Sequence, residues 1–279
     1  MSSPTTADRP TVETARLAVL TAGRQAQRLA ARGNSVRVIA RFDRSAYVCA
    51  PDGQLACIGG ETLGLGPLNA LVGTDDFTAA RLAVGDRVVL DVSDTVPWRP
   101  RPFAIPTAEG LRRAVASLDG ATATVPPRGL AQTADSDPIN ARARRGLSVL
   151  TELMATPGGE LPREITALIG LGPGLTPAGD DALGGAMIAL RAFGRPKAAD
   201  WLASHVLPLA VALTSSISLA HLEAAADGEG AAALHDTLAA LAGGDAAGAA
   251  DGLRRLDRIG HSSGWDALAG AAAALEGLG

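Results

Sequence analysis

The sequence predicts an α+β chain, with a small antiparallel β sheet or barrel in its N-terminal half and a mostly α-helical C-terminal half. Three observations carry that expectation. From residue 35 to about 103, short apolar runs alternate with Gly, Pro, Asn and Asp turn signals. Beyond residue 107, alanine-rich stretches with helical spacing take over. The composition, 47% hydrophobic and 19% charged over 279 residues, is that of a globular chain long enough to bury a sizeable core. The expected organisation is an N-terminal tail and helix over 1–34, a β-rich domain over 35–120, and a helical domain over 121–279.

Residues 11–32 have helix-forming composition, with Ala15, Val19 and Ala22 on one side and Arg24, Arg28 and Arg32 at four-residue spacing on another. Gly33 and Asn34, which tolerate positive φ, end that helix. Strands are expected over 36–42, 46–50 and 54–58, the last two joined at Pro51, Asp52 and Gly53. Cys49 and Cys57 flank this turn and are expected to be free thiols. The stretch LGLGPLNALV over 63–72 bends at Gly64, Gly66 and Pro67 before another apolar segment, and RVVLDV over 87–92 follows a turn at Gly85 and Asp86. VPWRPRPF over 96–103 is too proline-rich for a central strand and belongs at an edge.

The helical half begins with a short helix over 108–118. A Pro-, Gly- and Asp-rich connector over 121–138 is the expected domain boundary. Helices are then predicted over 139–155, 180–193, 198–213, 216–226, 230–241, 246–258 and 265–275.

Three polar clusters interrupt these helices. The first is LIGLGPGLTPAGDD over 168–181, where Gly172, Pro173, Gly174, Leu175, Thr176 and Gly179 lead to Asp180 and Asp181 at a helix start. Glycines let a backbone approach a ligand closely, prolines fix the path, and a helix N-terminus offers free N–H groups. The second cluster holds Thr214, Ser215, Ser216 and Ser218, which also suit ordinary helix caps. The third, IGHSSGWDALAG over 259–270, places His261, Ser262, Ser263 and Gly264 before a helix containing Asp266. Two such helix entries converging on one pocket would suit a carboxylate or phosphate.

Several chemistries are excluded at this level. GPGLTP does not have the glycine spacing of a dinucleotide fingerprint, and no lysine follows it, which excludes a Walker loop. The four histidines lack zinc-ligand spacing. A net charge of −4 without a basic block argues against nucleic acid. There is no apolar run of about 18 residues and no signal-peptide pattern, so neither a membrane span nor secretion is expected; the cytoplasm is. Asp180 and Asp181 remain open between capping the helix, orienting a substrate amide and holding a divalent cation such as Mg in a nucleotide-dependent enzyme.

GLGPGLTPAGDD over 170–181, LGPLNALV over 65–72, the TSSIS segment and IGHSSGWDALAG together resemble the AllH-like family, formerly a domain of unknown function, over most of the chain from about residue 35. That family is linked to the oxamate carbamoyltransferase complex of anaerobic purine (allantoin) breakdown. The family pattern commonly has Ser where this chain has Ala178. The resemblance implies carbamoyl transfer between oxalurate or oxamate and phosphate, with phosphate as co-substrate and no resident cofactor. It also implies partner subunits; a homo-oligomer is a further expectation. Catalytic roles would fall to Asp180, Asp181 and His261. Substrate contacts would come from 172–176, Gly179, Ser215, Ser216, Ser262, Ser263, Gly264 and Asp266. A non-catalytic anion-binding or scaffold subunit is the alternative.

Overall fold

The computed structural model describes residues 15–73, 82–122, 125–132 and 137–278. It divides into two compact units: Met1–Leu63 with Asn69–Pro97, and Gly64–Leu68 with Trp98–Gly279. The α+β class holds, with strands gathered in the first unit and helices in the second.

In the first unit the strands are β1 (Ala15–Gly23), β2 (Val36–Arg41), β3 (Ser45–Cys49), β4 (Leu55–Gly59), β5 (Asn69–Val72), β6 (Arg87–Asp91) and β7 (Val96–Trp98). Their order is β5-β4-β3-β2-β6-β1-β7, and pairing of β5 with β1 closes six of them into a barrel with β7 outside the closure. The β2, β3 and β4 ladders are antiparallel, as expected of hairpins. β1 with β6 and β4 with β5 run parallel, so the sheet is mixed rather than purely antiparallel. The interior is filled mostly by alanine and β-branched side chains, among them Ala22, Ala46, Val48, Ala56, Ile58, Ala70 and Val88, all inaccessible to solvent. A six-stranded closure leaves room for little more. Cys49 and Cys57 are free thiols, and burial pushes Cys57 up to about 12.

The helix expected over 11–32 is corrected: within the described part, Ala15–Gly23 is a strand and only Arg24–Ala30 is helical (α1). Residues 11–14 lie outside the described residues. ARLAVLTAG fits both periods, and the barrel decides between them. As a strand it satisfies its backbone on β6 and β5 while Val19 and Ala22 fill the core, and such tertiary pairing outweighs the modest helix preference of Ala and Leu. α1 then turns Ala26, Leu29 and Ala30 into the same core.

The second unit contains α2 (Ala108–Thr122), α3 (Pro138–Met154), α4 (Arg163–Thr166), α5 (Ala178–Ala192), α6 (Pro196–Leu213), α7 (Ser216–Ala226), α8 (Ala232–Gly243), α9 (Ala246–Leu256) and α10 (Ser263–Glu276). Its core is one cluster running through most of these helices. α5 sits at the centre, buried almost all round from Gly179 to Leu190, as an apolar helix must be. α10 crosses it at backbone contact. A Cβ on Gly185 would fall 1.8 Å from the Ala267 carbonyl oxygen, and one on Gly270 would fall 1.8 Å from that of Ala182.

The contacts part the chain at Pro97 and Trp98, upstream of the 121–138 connector. Val125 and Leu130 of that connector are buried in the helical core, which ties it into the second unit. No helix among the described residues is long and apolar enough to cross a membrane.

Candidate functional site

The first turn of α5 is where the three polar clusters approach one another. The chain reaches it through Gly170, whose φ of +70° and a Cβ position 2.2 Å from the Leu213 carbonyl oxygen leave no room for a side chain. The Gly179 amide donates to the Leu171 carbonyl at 2.9 Å, closing the loop onto the helix. α5 has no side-chain cap; Pro177 occupies the N-cap position. The amides of Gly172, Gly174, Leu175 and Thr176 donate to no acceptor among the described residues. Pro173, Gly174 and Leu175 are exposed, whereas Gly172 and Thr176 are half-buried.

Asp180 and Asp181 point to different neighbours, as successive helical positions about 100° apart must. Asp180 is 2% exposed, and its Oδ1 accepts from the Gly170 amide at 2.8 Å. Its Oδ2 accepts from the hydroxyls of Thr214 and, at 2.7 Å, Ser218. It therefore ties the loop and the α6–α7 junction to α5. Ser215 caps α7 by accepting from the Ser218 amide at 3.0 Å and donates to the Leu175 carbonyl at 2.6 Å. Ser216 is exposed.

Toward α10, the hydroxyls of Thr176 and Ser263 lie 3.1 Å apart. Asp181 faces this pair, and its Oδ2 is buried with no hydrogen-bond partner among the described residues. Burial first, and the negative charges of Asp266 and Asp180 next, push the Asp181 carboxyl well above the usual carboxylate range, with Ser263 and Thr176 opposing. Asp266 is 1% exposed and fully engaged: Oδ1 accepts from the Leu130 amide at 2.7 Å and Oδ2 from the Ser262 hydroxyl at 2.8 Å. Burial raises the Asp266 carboxyl too, offset by these two donors and by His261. His261 itself is exposed, and Gly264 is packed 2.2 Å, by its Cβ position, from the Leu256 carbonyl oxygen.

The fold thus brings Thr176, Ser263 and Asp181 together, with Ser215 linked to the loop at Leu175. Asp180, Asp266, Gly179 and Gly264 serve as fixings behind them. Unforeseen in the sequence was Leu130, whose amide anchors Asp266 across 136 positions. A backbone donor leaves no side-chain signature; the only local hint is Gly129, whose positive φ allows that approach.

Fold and site together describe a β-barrel unit followed by an alanine-rich helical unit whose polar site is built on glycine-rich helix entries. Residues 168–275 match the sequence model of the AllH family, described as oxamate carbamoyltransferase subunit AllH. The match covers less than half of the chain, takes in all three polar clusters, and leaves LGPLNALV outside it. No curated protein and no solved structure matches the chain.

Proposed function

We propose that this chain is a subunit of an oxamate carbamoyltransferase-type complex in purine catabolism, which moves a carbamoyl group between oxalurate or oxamate and phosphate. The observation that supports this most is the convergence of three polar clusters, all within the family match, around a loop with four amides that find no acceptor among the described residues. Attack of phosphate on a carbamoyl carbon builds negative charge on the carbonyl oxygen. Fixed N–H donors aimed at that oxygen stabilise it without reorganising.

In this proposal the amides over 172–176 and the Thr176 hydroxyl seat the anion or carbonyl oxygen. Ser263 borders the reacting group with Asp181 behind it, and exposed His261 with Ser262 forms the opposite wall. Asp180 and Asp266 act through the residues they hold. The internal saturation of Asp180, Asp266 and Ser215 equally favours a scaffold subunit whose loop completes a partner's site.

The test is carbamoyl phosphate formation from oxalurate and phosphate by the complex purified through this chain. Thr176→Ala is expected to lower the rate about 100-fold, the loss typical of one oxyanion donor. An unaltered rate in an intact complex would remove the Thr176 hydroxyl from the chemistry and favour the scaffold role.

A further inference from the structure

Three carboxyl groups surround the start of α5, and two of them are occupied. Both oxygens of Asp180 accept hydrogen bonds, from Gly170 on one side and from Thr214 and Ser218 on the other. Both oxygens of Asp266 accept as well, from Leu130 and Ser262. Asp181 differs: its Oδ2 is buried and has no donor among the described residues. A buried ionised oxygen without a donor is costly by several kcal/mol, whereas in the neutral acid, with the proton on the other oxygen facing Ser263 and Thr176, Oδ2 is an uncharged carbonyl oxygen. The charged groups facing it are Asp180 on its own helix and Asp266 on α10, and both disfavour ionisation. Its other neighbours are the hydroxyls of Ser263 and Thr176, which stand 3.1 Å from each other and can pass a proton along.

We propose that Asp181 stores the proton that the departing nitrogen receives in carbamoyl transfer, handed on through the paired hydroxyls of Ser263 and Thr176. This rests on the functional reading above and adds the proton source. When a phosphate oxygen attacks the carbamoyl carbon, the new C–O bond forms and the C–N bond to the leaving amide breaks. The electron pair of that bond stays on nitrogen, which takes a proton from the hydroxyl pair. Asp181 reloads the hydroxyls, and the proton lost by the attacking hydrogen phosphate returns to Asp181, so the site ends as it began. The neutral acid also spares an incoming anion the repulsion of a third carboxylate. Asp181 acts through Ser263 and Thr176 and is thus a positioning residue.

The experiment follows kcat and KM for carbamoyl phosphate formation from about pH 5 to 9 in the purified complex. It compares the wild type with Asp181→Asn, Asp181→Glu and Ser263→Ala. Asp181→Asn is expected to lower kcat about 100-fold with little change in KM, and to abolish the fall in rate on the alkaline side. Asp181→Glu should restore part of both. An Asp181→Asn complex with the wild-type rate and pH profile overturns the proposal. Unfolding of the full chain gives a second measure independent of turnover. Because the folded carboxyl titrates higher than the unfolded one, its contribution to stability is complete below about pH 4 and is lost as pH rises. Asp181→Asn should therefore melt progressively higher than the wild type above that pH. Absence of that gain also overturns the proposal. A wild-type complex that forms no carbamoyl phosphate overturns the functional reading, and the transfer step with it, even where the stability gain is present.

Discussion

Gly185 of α5 rests against the carbonyl oxygen of Ala267 on α10, so that a Cβ there would lie 1.8 Å from it. The crossing fixes where α10 begins, and therefore where Ser263 stands relative to Thr176. Gly185→Ala must push the two backbones apart and is expected to cost about 3 kcal/mol or more. Gly184→Ala is its internal control, because the new methyl would meet the Ala225 Cβ at 3.5 Å, an ordinary contact. That neighbour should gain about 0.5–1 kcal/mol from helix propensity. Chemical denaturation of the two variants side by side checks the pair.

Asp180 predicts a stability loss of a different origin. Replacing it with Asn turns one oxygen into an amide group facing donors from Gly170 or from Thr214 and Ser218. Bonds to a charged acceptor contribute about 1.5–3 kcal/mol each, so Asp180→Asn should cost roughly 2–4 kcal/mol. Ser218→Ala should cost less, since two donors remain. Denaturant midpoints would order the variants; an Asp180→Asn protein as stable as the wild type would mean that the tether is idle.

Ser215 holds two segments with one hydroxyl, capping α7 and reaching the Leu175 carbonyl. Ser215→Ala should lose about 1 kcal/mol as a missing cap. It should also free the tip of the loop, which hydrogen exchange at the Thr176 amide would register as faster exchange. A cap loss with unchanged exchange would show that the Leu175 contact does not order the loop.

What the sequence made legible follows the physics of local signals. The turn at Asp52 and Gly53 and the helix entries expected at Asp180, Ser216 and Trp265 all lie at or within a few residues of their places in the structure, because turn and cap chemistry acts over a few residues. β1 was hidden because its closure depends on β6 and β5, which lie more than forty residues away in sequence. The different fates of Asp180 and Asp181 were hidden for a related reason. Two adjacent aspartates look alike in sequence, and only the packing of α7 on one side and α10 on the other decides which is saturated and which keeps a buried oxygen with no partner among the described residues.

The helical unit should also be acid-sensitive, and His235 supplies the reason. Its Nε2 accepts a hydrogen bond from the Gly230 amide at 3.1 Å, which requires that nitrogen to be unprotonated. Its ring meets Trp98 edge to face, and burial brings the imidazole down to about 4, with Asp236 opposing. The folded state thus resists a proton that the unfolded chain accepts near the ordinary histidine value of about 6.5. Stability is therefore full above that pH and falls as pH drops toward 4, by up to roughly 1.4 kcal/mol per pH unit from this residue. His221, lowered to about 4 by burial, adds to the same window. His235→Gln, whose side-chain oxygen can take over the Gly230 contact, should flatten the decline between about pH 6.5 and 4 while leaving stability at pH 7 within about 1 kcal/mol. Melting temperatures across that window check it: parallel curves for the variant and the wild type would remove His235 as the acid-sensitive element.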